Sequence, residues 1–249
     1  MIKLENISKI FNKGQATEAL ALQDVSLQIN TGDFVVVTGS NGSGKSTLLN
    51  CIAGSILADS GTIYIDETAV HQLPDYKRSK FISRIFQNPL QGTAPDLSIK
   101  DNFRLAALRT KPKMLYTSSD GSFEETIKEK ISLLKMGLEN NIDKQMGSLS
   151  GGQRQALTLI MGIMDDCKIM LLDEPTAALD PRSSLLVIQK AEEIIYTHKL
   201  TALLVTHHLK DALRYGNRIL SMHEGRIVKD ISGEEKKNLG LEELVKWYD

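Results

Sequence analysis

Residues 39–47 read Gly39-Ser40-Asn41-Gly42-Ser43-Gly44-Lys45-Ser46-Thr47. They fit the pattern G-x-x-x-x-G-K-[ST], which joins a buried strand to a helix. The β-branched run 33–38 supplies the strand, and a helix is predicted to begin near Lys45. Glycines let successive N–H groups point inward, and the helix start adds partial positive charge. This phosphate loop predicts a nucleoside triphosphate site; a plain glycine-rich turn with a solvated lysine is the alternative.

Two side chains of the phosphate loop and two later carboxylates suggest a division of roles. Lys45 supplies a full charge for the β- and γ-phosphates, and the Ser46 hydroxyl is placed to ligate Mg²⁺. A second apolar run, Ile169–Leu172, ends in Asp173 and Glu174, at the sheet edge where ligands bind. Because neighbouring strand residues point to opposite faces, we expect Asp173 to serve Mg²⁺ or its water and Glu174 to polarise the attacking water. A strand that simply ends in polar residues is the alternative.

Further strands and helices are predicted before and after the phosphate loop and the acidic pair Asp173–Glu174. Strands are expected at Ile2–Ile7 and Leu22–Ile29 around a loop near Gly14, and at Thr62–Ile65, Ile82–Phe86, Thr201–Val205 and Arg218–Met222. Helical spacing marks residues 98–135, interrupted by a loop at Thr117–Ser122, and helices should follow Gly151 and cover Lys210–Arg214. This alternation predicts an α/β fold with a mainly parallel sheet covered on both faces and a helical insert.

The composition excludes several classes of protein. The 249 residues carry 30 basic and 31 acidic side chains, so bulk electrostatic binding of nucleic acid is not expected. No apolar run is long enough to cross a bilayer, and the amino end lacks the pattern of a secretory signal. Cys51 and Cys167 form no C-x-x-C pair, which argues against a disulfide scaffold or zinc site. We expect a cytosolic protein that would serve a membrane only through another subunit.

The pentapeptide Leu149-Ser150-Gly151-Gly152-Gln153, here called the signature turn, connects these loops to a family. Together with them it resembles the nucleotide-binding subunits of ABC transporters, in the right order over nearly the whole chain. The resemblance implies a P-loop NTPase core and an antiparallel β subdomain at about 1–87 and 150–230, within one domain, 1–249. It also implies an inserted α-helical subdomain at about 88–165 and a short C-terminal helix at about 239–248.

The resemblance assigns further residues to an ATP site. Gln87 resembles the glutamine that touches Mg²⁺ and water, and His207 resembles the switch histidine that contacts the γ-phosphate. Ala178-Leu179-Asp180 resembles the family's D-loop, and Phe11 sits where the family stacks an aromatic ring on adenine. Catalytic roles are thus expected for Glu174, His207 and Gln87, nucleotide contacts for Phe11, residues 39–47 and 150–153, and Mg²⁺ contacts for Ser46, Gln87 and Asp173.

Each of these assignments has a plainer alternative. Ser150 also fits the cap of a helix start, Gln87 an ordinary polar residue after a strand, and Phe11 core packing. His207 alone would more often be structural, and no third ligand accompanies the doublet with His208 to make a zinc site.

The resemblance also implies partners. Ser150 and the glycine amides would form an anion-binding turn too far along the fold to close over their own phosphate loop. They would complete the site of a second ATP-binding subunit, either a second copy of this chain in a homodimer or a different cassette, so that ATP joins two chains head-to-tail and hydrolysis releases them. The other expected partners are an integral membrane permease and, indirectly, an extracytoplasmic solute-binding protein, with no nucleic acid. The subunit would be peripheral on the cytoplasmic face of the cell membrane.

Some residues depart from the family pattern and suggest a subgroup. His208 and Asn217 stand where many members carry Asp, and residues 89–95 form a long polar segment after Gln87. That segment and residues 216–220 resemble ATPases of bacterial permeases for amino acid-like solutes, some of them aromatic. Because no membrane span is fused to the cassette, an importer subunit is expected. Residues 98–111 and the segment around Gln87, here called the glutamine loop, would form a groove for a permease helix.

The sequence argues against two other functional classes. A soluble ABC ATPase acting on ribosomes or DNA would usually carry two cassettes, a coiled-coil arm or basic extensions, and the sequence has neither a heptad-rich arm nor excess charge. A P-loop kinase or nucleotide switch would leave the signature turn unexplained.

Overall fold

The computed structural model describes residues 1–109, 121–165 and 167–247. The strands are β1 (Ile2–Phe11), β2 (Ala19–Ile29), β3 (Phe34–Thr38), β4 (Ser60–Ile65), β5 (Thr68–Ala69), β6 (Ile82–Ile85), β7 (Ile169–Asp173), β8 (Thr201–Val205), β9 (Arg218–His223) and β10 (Arg226–Ser232). The helices are α1 (Lys45–Ala53), α2 (Asp75–Arg78), α3 (Ile99–Ala107), α4 (Gly121–Ser132), α5 (Gly151–Gly162), α6 (Pro181–Thr197), α7 (Leu209–Arg214), α8 (Gly233–Asn238) and α9 (Leu241–Val245). Short 3-10 turns cover Leu138–Asn140 and Met146–Ser148.

A six-stranded sheet forms the centre of the fold, in the order β10-β9-β3-β8-β7-β6. The strands from β9 to β6 run parallel, and only β10 is antiparallel to its neighbour. Along β3, Phe34 and Val36 enter one hydrophobic core while Val35 and Val37 enter the other. The prediction of a mainly parallel sheet with a strand buried on both faces is confirmed.

The antiparallel sheet has the order β2-β1-β4-β5 and shares its core with α1. Its first two strands are longer than predicted, because pairing continues past the irregularities after Leu4 until Phe11 meets Ala19. The connecting segment contains Gly14 at φ 78°, as expected for a turn.

The helical insert packs into the hydrophobic core that also contains Phe34 and Val36 of β3. Ile127, Ile131 and Leu134 are fully buried there, in agreement with their helical spacing. The predicted loop Thr117–Ser122 is wrong at its last two residues, because Gly121 and Ser122 are the first residues of α4, and its earlier residues lie outside the described ranges. Residues 110 and 111 of the expected groove region also lie outside them.

The predicted bounds of β8 match the structure, and those of β4, β6, β7, β9 and α7 differ from it by one or two residues. Near the carboxyl end, α9 (Leu241–Val245) falls within the expected C-terminal helix, whose residue 248 lies outside the described part of the chain. Within the described ranges, no helix is both long and apolar enough to cross a membrane.

The parallel sheet positions the candidate site. The phosphate loop follows β3, Asp173 ends β7, and Thr206 and His207 follow β8. Because these three strands are neighbours, their carboxyl ends bring the loop, the acidic pair and the histidine to one edge.

Candidate functional site

The phosphate loop has a backbone shape that requires its glycines. Gly39 and Gly44 have φ angles of 145° and 102°. A Cβ atom would lie 2.2 Å from the Met222 carbonyl oxygen at Gly39, and 2.4 Å from that of Ala21 at Gly44. Both contacts are far closer than real Cβ atoms make, and the partners are backbone. The loop can therefore pass this close to its neighbours only without side chains.

The loop ends in a helix start that no side chain caps. Gly44 occupies the N-cap position of α1 in a left-handed conformation, without a side-chain hydrogen bond. The first N–H groups of a helix have no partner within the helix, and together with the helix dipole they favour an anion. Ser40, Asn41 and Gly42 are exposed at the tip of the loop, while Thr47 is half-buried in the first turn of α1.

Lys45 is buried and folded back into the loop. Its Nζ donates to the carbonyl oxygens of Gly39 and Ser40, both at 2.8 Å. Burial lowers the pKa of Lys45, while the carboxylates of Glu174 and Asp173 act to raise it. A triphosphate placed beside this ammonium would add negative charge where desolvation penalises the cation, so the residue suits a phosphate partner.

The Ser46 hydroxyl donates to Asp173 Oδ1 at 3.1 Å. The contact joins the helix after β3 to the end of β7, across 127 residues of sequence. Gln87 is exposed and is the second residue after β6, the strand next to β7. A hydroxyl, a carboxylate and an amide are oxygen ligands that suit Mg²⁺, so the residues present fit the expected ion.

Glu174 does not continue the strand, contrary to the expectation from strand alternation. β7 ends at Asp173, and Glu174 turns into the left-handed region at φ 45°. Its backbone N–H still donates to the Val205 carbonyl oxygen at 3.1 Å. The two carboxylates thus diverge because of a backbone turn rather than the pleat of a strand.

The Glu174 side chain meets the predicted switch histidine. Its Oε2 lies 3.2 Å from Nδ1 of His207. The His207 ring also packs on that of His208, with centroids 4.2 Å apart. His208 in turn donates its backbone N–H to the Thr206 hydroxyl oxygen at 3.0 Å. The departure from the family pattern at 208 therefore supplies a ring that packs on His207.

The signature turn begins α5 with a capping box. Ser150 Oγ accepts from the Gln153 N–H at 3.2 Å, and Gln153 Oε1 accepts from the Ser150 N–H at 3.1 Å. The cap interpretation of Ser150 is confirmed, and its hydroxyl hydrogen is not used by that bond. Gly152 is buried against α6, where a Cβ would lie 2.6 Å from the Ser183 side chain. Ser150 and Gly151 are exposed.

The remaining predicted residues lie at element ends. Phe11 ends β1 and is half-buried, with the Lys9 ammonium 5.7 Å from its ring centroid. Asp180 is the N-cap of α6 and accepts from the N–H groups of Arg182 and Ser183. Hydrogen bonds from Ser183 lower the pKa of the Asp180 carboxyl.

Two residues of the site were missed by sequence reasoning. Gln155 is buried, and its Nε2 donates at 2.9 Å to the carbonyl oxygens of Phe86 and Pro175. It thereby ties the backbone before Gln87 to the backbone after Glu174. Nothing in the local pattern of α5 marks this role.

Arg84 is the second missed residue. Its Nη2 lies 3.2 Å from Asp173 Oδ2, and its guanidinium lies over the Phe86 ring, 4.6 Å from the centroid. A signal was available, because a cation in the middle of the strand Ile82–Ile85 needs a partner when it is taken out of water.

Comparison with known proteins agrees with the arrangement. The description "ABC transporter" belongs to the family profile that matches residues 22–177, well over half of the chain. The chain belongs to the ABC transporter family. It is accordingly an ABC-type ATPase with the P-loop NTPase fold.

Individual relatives of this ABC ATPase cover it almost from end to end. A tyrosine transport ATP-binding protein of Clostridioides difficile is 40% identical over 100% of this chain and 99% of its own length. A phosphonates import ATP-binding protein of Lactococcus lactis is 34% identical over 98% of both. A dimeric ATP-binding cassette in a post-hydrolysis state, bound to ADP and Pi, superposes with a TM-score of 0.78 and 28% identity, covering 93% of this chain and 98% of that one.

Proposed function

We propose that this ABC ATPase is the ATP-hydrolysing subunit of an importer, and that two copies close head-to-tail around ATP to drive a separate membrane permease. The observation that carries the proposal is the meeting of the phosphate loop, Asp173 and the Glu174–His207 pair at one sheet edge. The names of the relatives, which are transport and import subunits, favour this over a soluble ATPase acting on ribosomes or DNA.

ATP binding would depend on backbone N–H groups of the phosphate loop that have no side-chain cap, and on Lys45. The uncapped first turn of α1 and the Lys45 ammonium would hold the β- and γ-phosphates. Ser46, Asp173 and Gln87 would hold Mg²⁺, which neutralises charge on the β- and γ-oxygens when bound. Phe11, at the end of β1, would stack on the adenine ring.

Hydrolysis would use the acidic and histidine side chains. Glu174 would accept a proton from the attacking water, and the contact between its Oε2 and His207 Nδ1 would hold the carboxylate in place. His207 would also contact the γ-phosphate. The hydrogen bonds from Gln155 to the Phe86 and Pro175 carbonyl oxygens would keep the backbones of Gln87 and Glu174 at a fixed distance from each other.

The permease would dock in a groove beside the glutamine loop. A cavity of about 380 Å³ is lined by Gln91 and Thr93 after β6, Leu105 and Arg109 of the α3 region, and Met161 of α5. It falls in the region predicted to receive a cytoplasmic helix. Through it, the subunit would be peripheral on the cytoplasmic face of the membrane.

The solute is proposed to be amino acid-like and aromatic. The support is the relative named for tyrosine transport, which is 40% identical over the whole chain. A phosphonate relative is less similar, at 34%. A solute-binding protein outside the membrane would deliver the solute to the permease.

The first experiment tests the ATP site through Lys45→Ala. Removing the buried charge should weaken ATP binding at least about tenfold, because a phosphate loses a charged partner in a desolvated loop. Binding is measured with a fluorescent ATP analogue, and Lys80→Ala, at an exposed lysine, serves as the control. Equal affinity of the Lys45 variant and the wild type would contradict the proposed site.

A second arm tests transport. The chain should co-purify with an integral membrane protein from detergent-extracted native membranes. In liposomes, ATP hydrolysis by that complex should rise when the binding protein carries tyrosine and not when it carries a phosphonate. Repeated purification without a membrane partner would count against the importer. Stimulation of ATP hydrolysis only by the phosphonate-loaded binding protein would contradict an amino acid-like solute.

A further inference from the structure

Arg84 places a permanent cation against the carboxylate that is proposed to serve Mg²⁺. Its Nη2 contacts Asp173 Oδ2 at 3.2 Å, and both side chains are only 14% exposed. The other carboxylate oxygen, Oδ1, accepts from the Ser46 hydroxyl. Both oxygens of Asp173 are therefore engaged before an ion arrives.

Asp173 also faces a second positive charge. Burial lowers the pKa of the Lys45 ammonium, and the negative charges of Glu174 and Asp173 offset part of that lowering. One carboxylate thus interacts with two cations in a partly desolvated place, where charges are screened less than in water. A divalent ion entering here meets repulsion from both and must compete for Asp173.

The Arg84 contact has the geometry of an exchangeable pair. A single Nη atom reaches the carboxylate at 3.2 Å, beyond the usual range for charge-assisted bonds. Nη1 reaches the Ser55 hydroxyl, also at 3.2 Å, and the buried Nε has no hydrogen-bond partner in the described part of the chain. The guanidinium rests on the Phe86 ring, so it has a place to remain when the carboxylate turns away.

A second arginine of the chain shows what a permanent pair looks like. Arg218 is 15% exposed, almost the same as Arg84, but it holds Asp230 through both Nε and Nη2. Its Nη1 donates to the Gln28 carbonyl oxygen at 2.7 Å. All three nitrogens of the Arg218 guanidinium are thus hydrogen-bonded, whereas Arg84 holds its carboxylate through one long contact.

We propose that Arg84 is a positioning residue that acts as the resident counter-cation of Asp173, competing with Mg²⁺ and setting the Mg²⁺ concentration that the site requires. The inference rests on the proposed function, in which Asp173 serves Mg²⁺. Before the ion binds, Arg84 keeps Asp173 neutralised and aligned with Ser46. With Mg²⁺ and nucleotide bound, Oδ2 would be released from the guanidinium and would be available to the ion or its water.

The test is a Mg²⁺ titration of nucleotide binding, which requires no turnover. Binding of a fluorescent, non-hydrolysable ATP analogue is measured from EDTA to excess Mg²⁺. In Arg84→Gln, the Mg²⁺ concentration for half-maximal tightening should fall about fivefold or more, whereas affinity in EDTA should not rise, because Asp173 then faces the triphosphate without its counter-cation. Arg84→Lys keeps the charge and should stay within about twofold of the wild type. Arg218→Gln removes an equally buried cation elsewhere and should leave the Mg²⁺ requirement unchanged.

The outcomes separate the two proposals. If the wild type shows no tightening by Mg²⁺, or none that depends on Lys45, the proposed function fails. If the wild type tightens but Arg84→Gln needs the same or more Mg²⁺, only the role of Arg84 is overturned. Thermal unfolding is measured for every variant, and should the Gln variant not fold, Arg84→Met, which keeps the contact with Phe86, is judged by the same criterion. A Lys variant that shifts as far as Gln would also overturn the competition.

Discussion

Two helix starts of this chain are rich in glycine and serine but leave different groups open. The phosphate loop enters α1 through Gly44, which provides no side-chain cap. The signature turn enters α5 through Ser150, which forms a reciprocal capping box with Gln153. At the first helix the N–H groups remain available to an anion, whereas at the second some are already bonded.

Burial follows the same division. Lys45 is buried within the phosphate loop, beside carboxylates from the end of β7. Ser150 and Gly151 are exposed, with a capped backbone behind them. The first start has a buried ammonium and uncapped N–H groups that would suit a phosphate, whereas the second has one hydroxyl hydrogen and a glycine surface to add. We therefore expect binding to depend on the first, and closure with a second chain to depend on the second.

The largest effect expected on the phosphate-loop side is that of Glu174→Gln. Glutamine keeps the size of the side chain but cannot accept a proton, so hydrolysis should fall by about 10²–10⁴-fold. ATP affinity should be retained, because Lys45 and the open N–H groups are unchanged. Phosphate release measures the first effect, and light scattering after gel filtration should show dimers that persist in Mg-ATP.

Glu193→Gln provides the matched control for this variant. Glu193 is an exposed partner of Lys190 on α6, so its loss makes the same change of charge away from the site. Its hydrolysis should match the wild type. A Glu174 variant that remains monomeric at saturating Mg-ATP would remove the reason for assigning closure to the signature turn.

The sequence predicted the parts of this comparison that local rules control. A glycine pattern between a β-branched strand and a helix predicted the phosphate loop, and strand–helix alternation predicted the parallel sheet that carries it. The capping box was also accessible, because Ser150 is followed by Gln three residues later. These signals lie within a few residues of the feature that they describe.

Other parts depend on contacts between distant segments. Arg84 and Asp173 are 89 residues apart, and Gln155 reaches carbonyl oxygens 69 and 20 residues away. No pattern within one element identifies such partners. The left-handed turn at Glu174 was missed because strand alternation assumes an extended backbone, and only the pairing of β7 with β8 shows where the strand ends.

The next largest effect should come from Ser150→Asp on the signature-turn side. Aspartate caps a helix as well as serine, so stability in denaturant should change little. Its negative charge would oppose a partner's γ-phosphate, and like charges brought together cost several kcal/mol. We expect ATP-driven dimerisation and turnover to fall at least about thirtyfold, with ATP binding by the single chain within twofold of the wild type.

Ser122→Asp is the control for this change. Ser122 is exposed in the first turn of α4, so the same charge is placed at another helix start. Its dimerisation should be that of the wild type. Full turnover in Ser150→Asp would mean that Ser150 is a cap and nothing more.

The smallest effect concerns Cys51, which lies in α1 directly behind the phosphate loop. Burial raises the pKa of its thiol to about 11, so at pH 8 little thiolate exists and modification requires opening of the helix. If opening abolishes binding, Mg-ATP at ten times its Kd should slow labelling of Cys51 about elevenfold, by the factor 1 + [L]/Kd.

Cys167, buried beside β7 away from the loop, should be slowed less than twofold, as judged by mass spectrometry of labelled peptides. In Ser150→Asp the protection of Cys51 should persist, because the phosphate loop is expected to bind ATP without the second chain. Equal protection of both cysteines would mean that ATP stabilises the chain as one unit, and the two helix starts could then no longer be treated as independent.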